Sequence, residues 1–193
     1  YSMSSCGVCG YPDDDFTGND GDLPNFNRWS LVQNDNGYLS IQSNLLNYNG
    51  NVASGSATSE LNSRFEIGGD FDTIVEFFFF ANSTTSAADS GVSLIARRAS
   101  DDTLLAEIRR RHTTVHQYKS DGLDVSEAVL NTTDISGKFR ITRVNGAVRV
   151  YYWDAAQVRW EWGLSTTGRL VANNDTSDVY FEIRFDKGDG ETL

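Results

Sequence analysis

Apolar and polar positions alternate in short runs along this chain, and almost no stretch holds a helical period for three turns. The runs predict strands at 15–17, 29–33, 38–42, 45–48, 56–65, 71–80, 91–98, 104–111, 113–119, 138–144, 147–154, 158–164 and 178–186. Turn chemistry separates them. Asn145-Gly146 lies between two alternating runs, and both residue types accept the positive φ of a type I′ hairpin turn. Asn36-Gly37, Gly68-Gly69 and Asp121-Gly122 mark further turns. So many strands without helices must close into a two-sheet sandwich or a barrel, and the predicted class is all-β.

Because successive strand residues point to opposite faces, the alternation also assigns sides. In 71–80, Phe71, Thr73, Val75, Phe77 and Phe79 take the core face, leaving Asp72, Ile74, Glu76, Phe78 and Phe80 on the other. Phe78 and Phe80 are too apolar to stay bare on a monomer, so they are interface candidates that need a covering loop or a partner subunit. In 147–153, Val148, Val150 and Tyr152 look inward, and Arg149, Tyr151 and Trp153 look outward. In 104–111, Leu104, Ala106 and Ile108 oppose Leu105, Glu107, Arg109 and Arg111. Trp160 and Trp162 share parity with Val158 and are expected in the core.

A length of 193 residues fits one domain, read as an arm at 1–12 followed by a single domain over 13–193. The chain starts at Tyr1 and reads as a processed product or a fragment. Its net charge of -11 argues against nucleic acid, whose phosphates need a basic surface. No apolar run approaches the ~20 residues of a membrane span, so insertion into a bilayer is not expected. Cys6 and Cys9 supply two thiols where a structural zinc wants four ligands; a local disulfide, a pair of free thiols or a shared zinc half-site are the readings.

The order of "DDDFTGNDGDLPNFNRWS", "GYLSIQSNLL", "SELNSRFEIGGDFDTIVEF", "AEIRRR" and "GKFRITRVNGAVRVYYWD" resembles LamG-like domains of the concanavalin A-like lectin and glucanase superfamily. That resemblance covers residues 13–186 and implies a two-sheet antiparallel jelly roll. It further implies a non-catalytic adhesion or structural module, of the kind found in phage virions and secreted bacterial proteins, located in a virion or outside the cell. The partners it implies are a glycan on the concave face, other virion or cell-surface proteins, or further copies of the chain. Such domains often finish on a strand that pairs beside the first; here either 179–185 is that strand or it lies beyond Leu193.

The glucanase branch of that superfamily cleaves glycans with a Glu-x-Asp-x-x-Glu strand. The nearest text, "EIGGDFDTIVE", fails, because Asp72 and Glu76 lie roughly 13 Å apart along an extended strand, too far for the retaining geometry. A polysaccharide lyase would need basic and proton-transferring groups, and Arg64, Arg109, Arg111, His112, His116, Gln117 and Tyr118 offer them. Polysaccharide degradation on the same fold, by a lyase or a hydrolase, is therefore the alternative function; a domain that binds only protein is another.

For glycan binding the selected residues are Arg97, Glu107, Arg109, Arg111, Tyr151 and Trp153, since guanidinium forks recognise anionic groups and exposed rings stack on sugars. The plainer reading pairs the arginines with Glu76, Glu107 and Glu182 across strands. No cofactor is required by any motif. Calcium is the one ion with suitable oxygen-rich, Gly-rich loops, and Asp20, Asp22, Asp186 and Asp189 are its ligand candidates.

Overall fold

A computed structural model describes residues 14–35, 39–49, 55–78, 90–112, 115–122, 125–162, 171–172 and 175–188. The expected arm, Cys6, Cys9, Phe79, Phe80 and Asp189 lie outside these residues. Among those described there are strands and no α-helix: β1 (Trp29–Asn34), β2 (Leu39–Gln42), β3 (Leu45–Tyr48), β4 (Ala57–Ser63), β5 (Phe71–Phe77), β6 (Ser90–Arg98), β7 (Leu104–His112), β8 (His116–Gly122), β9 (Val125–Asn131), β10 (Gly137–Val144), β11 (Ala147–Asp154), β12 (Arg159–Trp162), β13 (Val171–Ala172) and β14 (Val179–Lys187).

The larger sheet has seven strands in the order β1-β4-β14-β6-β7-β8-β9. The smaller runs β12-β11-β10-β5, with β13 also on β11, and β2-β3 form a separate ribbon. Pairing is antiparallel throughout. This is the two-sheet jelly-roll sandwich expected from the sequence. β14, the last strand among the described residues, lies inside the larger sheet between β4 and β6.

The two sheets bury one apolar layer between them. Phe71, Val75, Phe77, Phe139, Ile141, Val148 and Val150 come from the smaller sheet, and Leu61, Leu94, Ala96, Ile108, Phe181 and Ile183 from the larger. Ring contacts join the layers, with Phe71 edge-on to Phe181 at 5.2 Å and Tyr118 stacked on Tyr152 at 5.0 Å. Asn145 and Gly146 both have positive φ, 51° and 79°, and connect β10 to β11 as the hairpin chemistry requires.

Arg143 ties the two sheets at one end. It is 1 % exposed, donates to the carbonyls of Gly69, Ile67 (3.0 Å) and Ser177 (2.6 Å), and lies over the Phe71 ring at 4.9 Å. Those carbonyls precede β5 in one sheet and β14 in the other.

Four local expectations are corrected. Residues 15–17 form no strand, because Phe16 takes a φ of 53°; Asp14 accepts from the Phe16 amide (2.9 Å) and from the Trp29 indole (2.7 Å), and Phe16 stacks on Trp29. The phenylalanine strand ends at Phe77, and Phe78 is 57 % exposed just beyond it. β9 and β13 were not foreseen, and β7 extends to His112 with β8 starting at His116.

The fourth correction concerns Trp160 and Trp162. Val158 has a φ of 54° and belongs to the turn, so it sets no strand parity. Register pairs Trp160 with Trp153 and Trp162 with Tyr151, and directly paired residues share a face. Both tryptophans are thus on the outer side of the smaller sheet, half-buried and outside the core cluster.

Candidate functional site

On the larger sheet, the residues that point away from the core are mostly charged. β14 presents Tyr180, Glu182, Arg184 and Asp186; β6 presents Gly91, Ser93, Ile95 and Arg97; β7 presents Glu107, Arg109 and Arg111; β4 adds Thr58, Glu60 and Asn62. A bare flat sheet would expose such a face. Here Ser93 is fully buried, Ile95 is 1 % exposed and Glu182 is 2 % exposed, yet none of them belongs to the layer between the sheets. The face is recessed.

Burial of charge demands pairing, and the face is built from cross-strand pairs. Arg97 Nε donates to Glu182 Oε2 at 2.6 Å. Arg184 reaches Glu182 Oε1 at 2.7 Å and Glu60 Oε1 at 2.8 Å through one guanidinium nitrogen. Arg109 crosses β6 to Asp186 at 3.1 Å, over Gly91, which has no side chain to obstruct it. Thr58 donates to the second Asp186 oxygen at 3.1 Å, and Ser93 donates to Glu107 Oε1 at 2.7 Å. Arg111 donates to Gln117 at 3.1 Å.

The pairing is incomplete in one place. Asn62 Oδ1, Glu182 Oε1 and Arg184 Nε are buried and have no hydrogen-bond partner; Arg184 lies close to Glu182 Oε1 without hydrogen-bond alignment. These three atoms sit on facing positions of β4 and β14. Unsatisfied polar atoms of this kind are costly in a folded chain.

Two carboxyls here are held above the usual carboxylate range. For Glu182 the cause is burial, which outweighs the bond from Arg97. For Asp186 it is again burial, opposed by Arg109 and Thr58 and reinforced by the nearby charge of Glu107. Asp186 is partly open to solvent, whereas Glu182 is closed off.

Of the residues selected from sequence, Arg97, Glu107, Arg109 and Arg111 share this recessed face. Tyr151 and Trp153 do not: they lie on the outer side of the smaller sheet, across the whole sandwich. The lyase set is divided by strand parity. Arg109, Arg111 and Gln117 point outward, while Arg110, His112, His116 and Tyr118 point inward. There, buried Arg110 donates to the carbonyls of Asp134 (2.9 Å) and Arg111 (2.5 Å), its guanidinium lies 2.8 Å from His116 Nδ1, and Tyr118 donates to Asp134 at 3.0 Å. Burial raises the Tyr118 hydroxyl far above its ordinary value, which suits a structural phenol rather than a proton carrier.

Asp20 and Asp22 accept from the Ser43 amide (2.7 Å) and the Asn19 amide (2.9 Å), away from Asp186 on β14. Among the described residues no group of three or more His, Cys, Asp or Glu side chains is arranged to hold a metal. The described site residues that sequence reasoning passed over are Glu60, Asn62, Ser93 and Arg184; Glu182, expected as an arginine partner, pairs with Arg97. Alternation in "SELN" and "YFEIRFDK" already placed most of them on one face; their adjacency depends on β14 lying beside β4.

No family model matches the chain, and no curated protein matches it in sequence. Solved structures share its fold. A family 16 glycosyl hydrolase protein of Mycobacterium smegmatis matches with a TM-score of 0.54 at 12% identity, over 93% of each chain. A pseudo β-1,3-glucanase and immunostimulatory antigen of Mycobacterium tuberculosis gives 0.52 at 12%, over 91% of this chain and 86% of that one. Endo-acting O-glycanases of the human gut microbiota, which initiate mucin breakdown, give 0.54 at 11%, over 91% and 84%. These likenesses show a shared jelly-roll fold. The expected adhesion module of a phage virion is corrected, since these neighbours are named as a glycosyl hydrolase, a pseudo β-1,3-glucanase and O-glycanases.

Proposed function

We propose that the protein acts on a polysaccharide laid across the recessed face of the larger sheet, as a glycoside hydrolase. The observation that carries this is Asp186, a carboxyl that burial raises and that still stays partly open to solvent on a face shared with a second carboxyl, Glu107. The glycan-directed neighbours of the same fold favour the same substrate class.

Asp186 is the proton donor in this reading. Its carboxyl is raised by burial and still reachable, the pairing of properties a general acid needs. Glu107 lies on β7, two strands from β14 and four residues along from the row of Asp186, roughly 16 Å between backbones. Its side chain accepts from Ser93, one row nearer, and its charge acts on Asp186, so in this reading a water lies between the two carboxyls. Glu107 takes a proton from that water as its oxygen bonds to the anomeric carbon. Asp186 gives its proton to the departing glycosidic oxygen as the C–O bond breaks. Water is consumed and two shorter chains are released.

The test is the release of reducing ends from laminarin, barley β-glucan, xylan and mucin glycoprotein. Asp186→Asn and Glu107→Gln are each expected to lower turnover by about 10²-fold or more while leaving the melting temperature near that of the parent. Turnover that survives both substitutions refutes the assignment. Retention on one of these glycans with no new reducing ends would instead make the protein a pseudo-enzyme, the reading that the ion pairing of Glu182 favours.

A further inference from the structure

The opposite side of the sandwich carries a second constellation. On the outer face of β11 and β12, Tyr151, Trp153, Trp160 and Trp162 form two directly opposed pairs, all half-buried and none in the inter-sheet core. Their orientations are fixed. The Arg140 guanidinium lies 5.5 Å from the Tyr151 ring and 5.5 Å from the Trp160 ring, and its fork is locked on Asp72 at 2.7 and 2.5 Å. Arg149 covers Trp162 at 4.8 Å, and Trp153 meets Trp160 edge-on at 5.4 Å.

Several occupants fit badly. A net charge of -11 repels nucleic acid. A lipid surface would have to desolvate the Arg140–Asp72 and Lys138–Glu76 pairs that cross the face. A protein hot spot seats its anchors in closed pockets, whereas these rings lie side by side on an open sheet. A pyranose chain matches what is there. Its C–H faces are apolar and flat, its hydroxyls lie at the rim, and rings repeating at roughly 5 and 7 Å across and along strands offer successive stacking positions.

We propose that this face is a binding platform for an extended chain of neutral pyranoses, separate from the charged face across the sandwich. Tyr151, Trp153 and Trp160 stack on the sugar rings, and Arg140, Arg149 and Asp72 bond the hydroxyls. Neutral sugars are specified because Arg140 and Lys138 already have carboxylate partners. The platform does not depend on turnover at Asp186.

Migration in native gels containing laminarin, barley β-glucan or xylan tests it. The parent protein is expected to be retarded by at least one of these. Trp160→Ala and Tyr151→Ser are expected to weaken that retardation roughly five- to tenfold, with Trp160→Phe retaining most of it and Asp186→Asn all of it. Thermal melts of the variants separate lost binding from lost folding, and the two ring positions serve as independent checks. The proposal is overturned if none of the three polysaccharides retards the parent, or if folded Trp160→Ala and Tyr151→Ser bind as tightly as the parent. It is likewise overturned if sedimentation shows a dimer that Trp160→Ala dissolves, since the occupant is then a second copy of the chain. Loss of cleavage in Asp186→Asn with retardation intact keeps the two faces distinguishable.

Discussion

Replacing Arg143 by methionine probes how the sandwich is closed at one end. Methionine keeps an unbranched stem against Phe71 and removes only the guanidinium. Three carbonyls then lose their donor, those of Ile67, Gly69 and Ser177, and they sit where solvent does not reach the arginine. Leaving a buried acceptor unsatisfied costs at least ~1 kcal/mol, so the three together predict a loss of about 3–4 kcal/mol. Relief of the buried charge opposes this, and burial already pushes the Arg143 guanidinium below its ordinary value. That relief is limited, because the partners are backbone carbonyls and cannot be deleted along with the arginine, as both members of a buried ion pair can. With a urea m-value of about 2–3 kcal/mol/M for a domain of this size, the midpoint should fall by about 1–2 M. Arg143→Lys, which keeps the charge and can reach one or two carbonyls, should fall between. A methionine variant within ~0.3 M of the parent would refute the reasoning and make the arginine a passenger.

Two further outcomes follow from particular residues. Burial first, then the charges of Arg110 and His112, hold His116 below the ordinary histidine value. Its neutral form therefore contributes stability that is full above about pH 6.5 and is lost as pH falls through that value; thermal melts between pH 5 and 7.5 should show the loss, and His116→Gln should flatten it. A Cβ on Gly91 would lie 2.6 Å from the Arg110 carbonyl oxygen and 3.2 Å from the Arg111 Cα, both backbone. Gly91→Ala should cost about 1–3 kcal/mol by forcing β6 from β7, and an unchanged melting temperature would mean the strands separate freely.

Parity in the sequence located the outward Glu107, Arg109 and Arg111 of β7 and the outward row of β11; Leu105, expected outward, is in the core, because the β6–β7 register shifts between Ala96 and Arg97. Parity also failed where a residue inside the apparent run had left the strand. Val158 looks like the first residue of an alternating segment, but its positive φ puts it in the turn, and two tryptophans change sides as a result. β9 was missed for another reason. Val129 and Leu130 are consecutive and both exposed, so an edge strand there shows no alternation to read. The recessed face needed information of a third kind. Arg97 meets Glu182 because residues 85 positions apart are paired by the order β14-β6, and no local pattern encodes that order. One partner expected for these arginines, Glu76, is instead held by Lys138 on the other sheet.

The contrast between the two outer faces has a physical origin that bears on what each can do. A recessed face places long side chains in low dielectric, so every charge on it must be answered locally; the Arg97–Glu182–Arg184–Glu60 chain does this and fixes each carboxylate in position. Such a face can raise a carboxyl by burial, which suits a general acid and which simple adhesion does not need. An open face cannot raise a carboxyl by burial, but it can leave ring faces accessible while cations wedge them in place, as Arg140 does between Tyr151 and Trp160. The proposed hydrolysis therefore sits on the larger sheet and the proposed platform on the smaller. Because the two lie on opposite sides of one sandwich, a single short oligosaccharide cannot occupy both; a protein that holds and cuts with this arrangement must work on a polymer or on a surface of many chains.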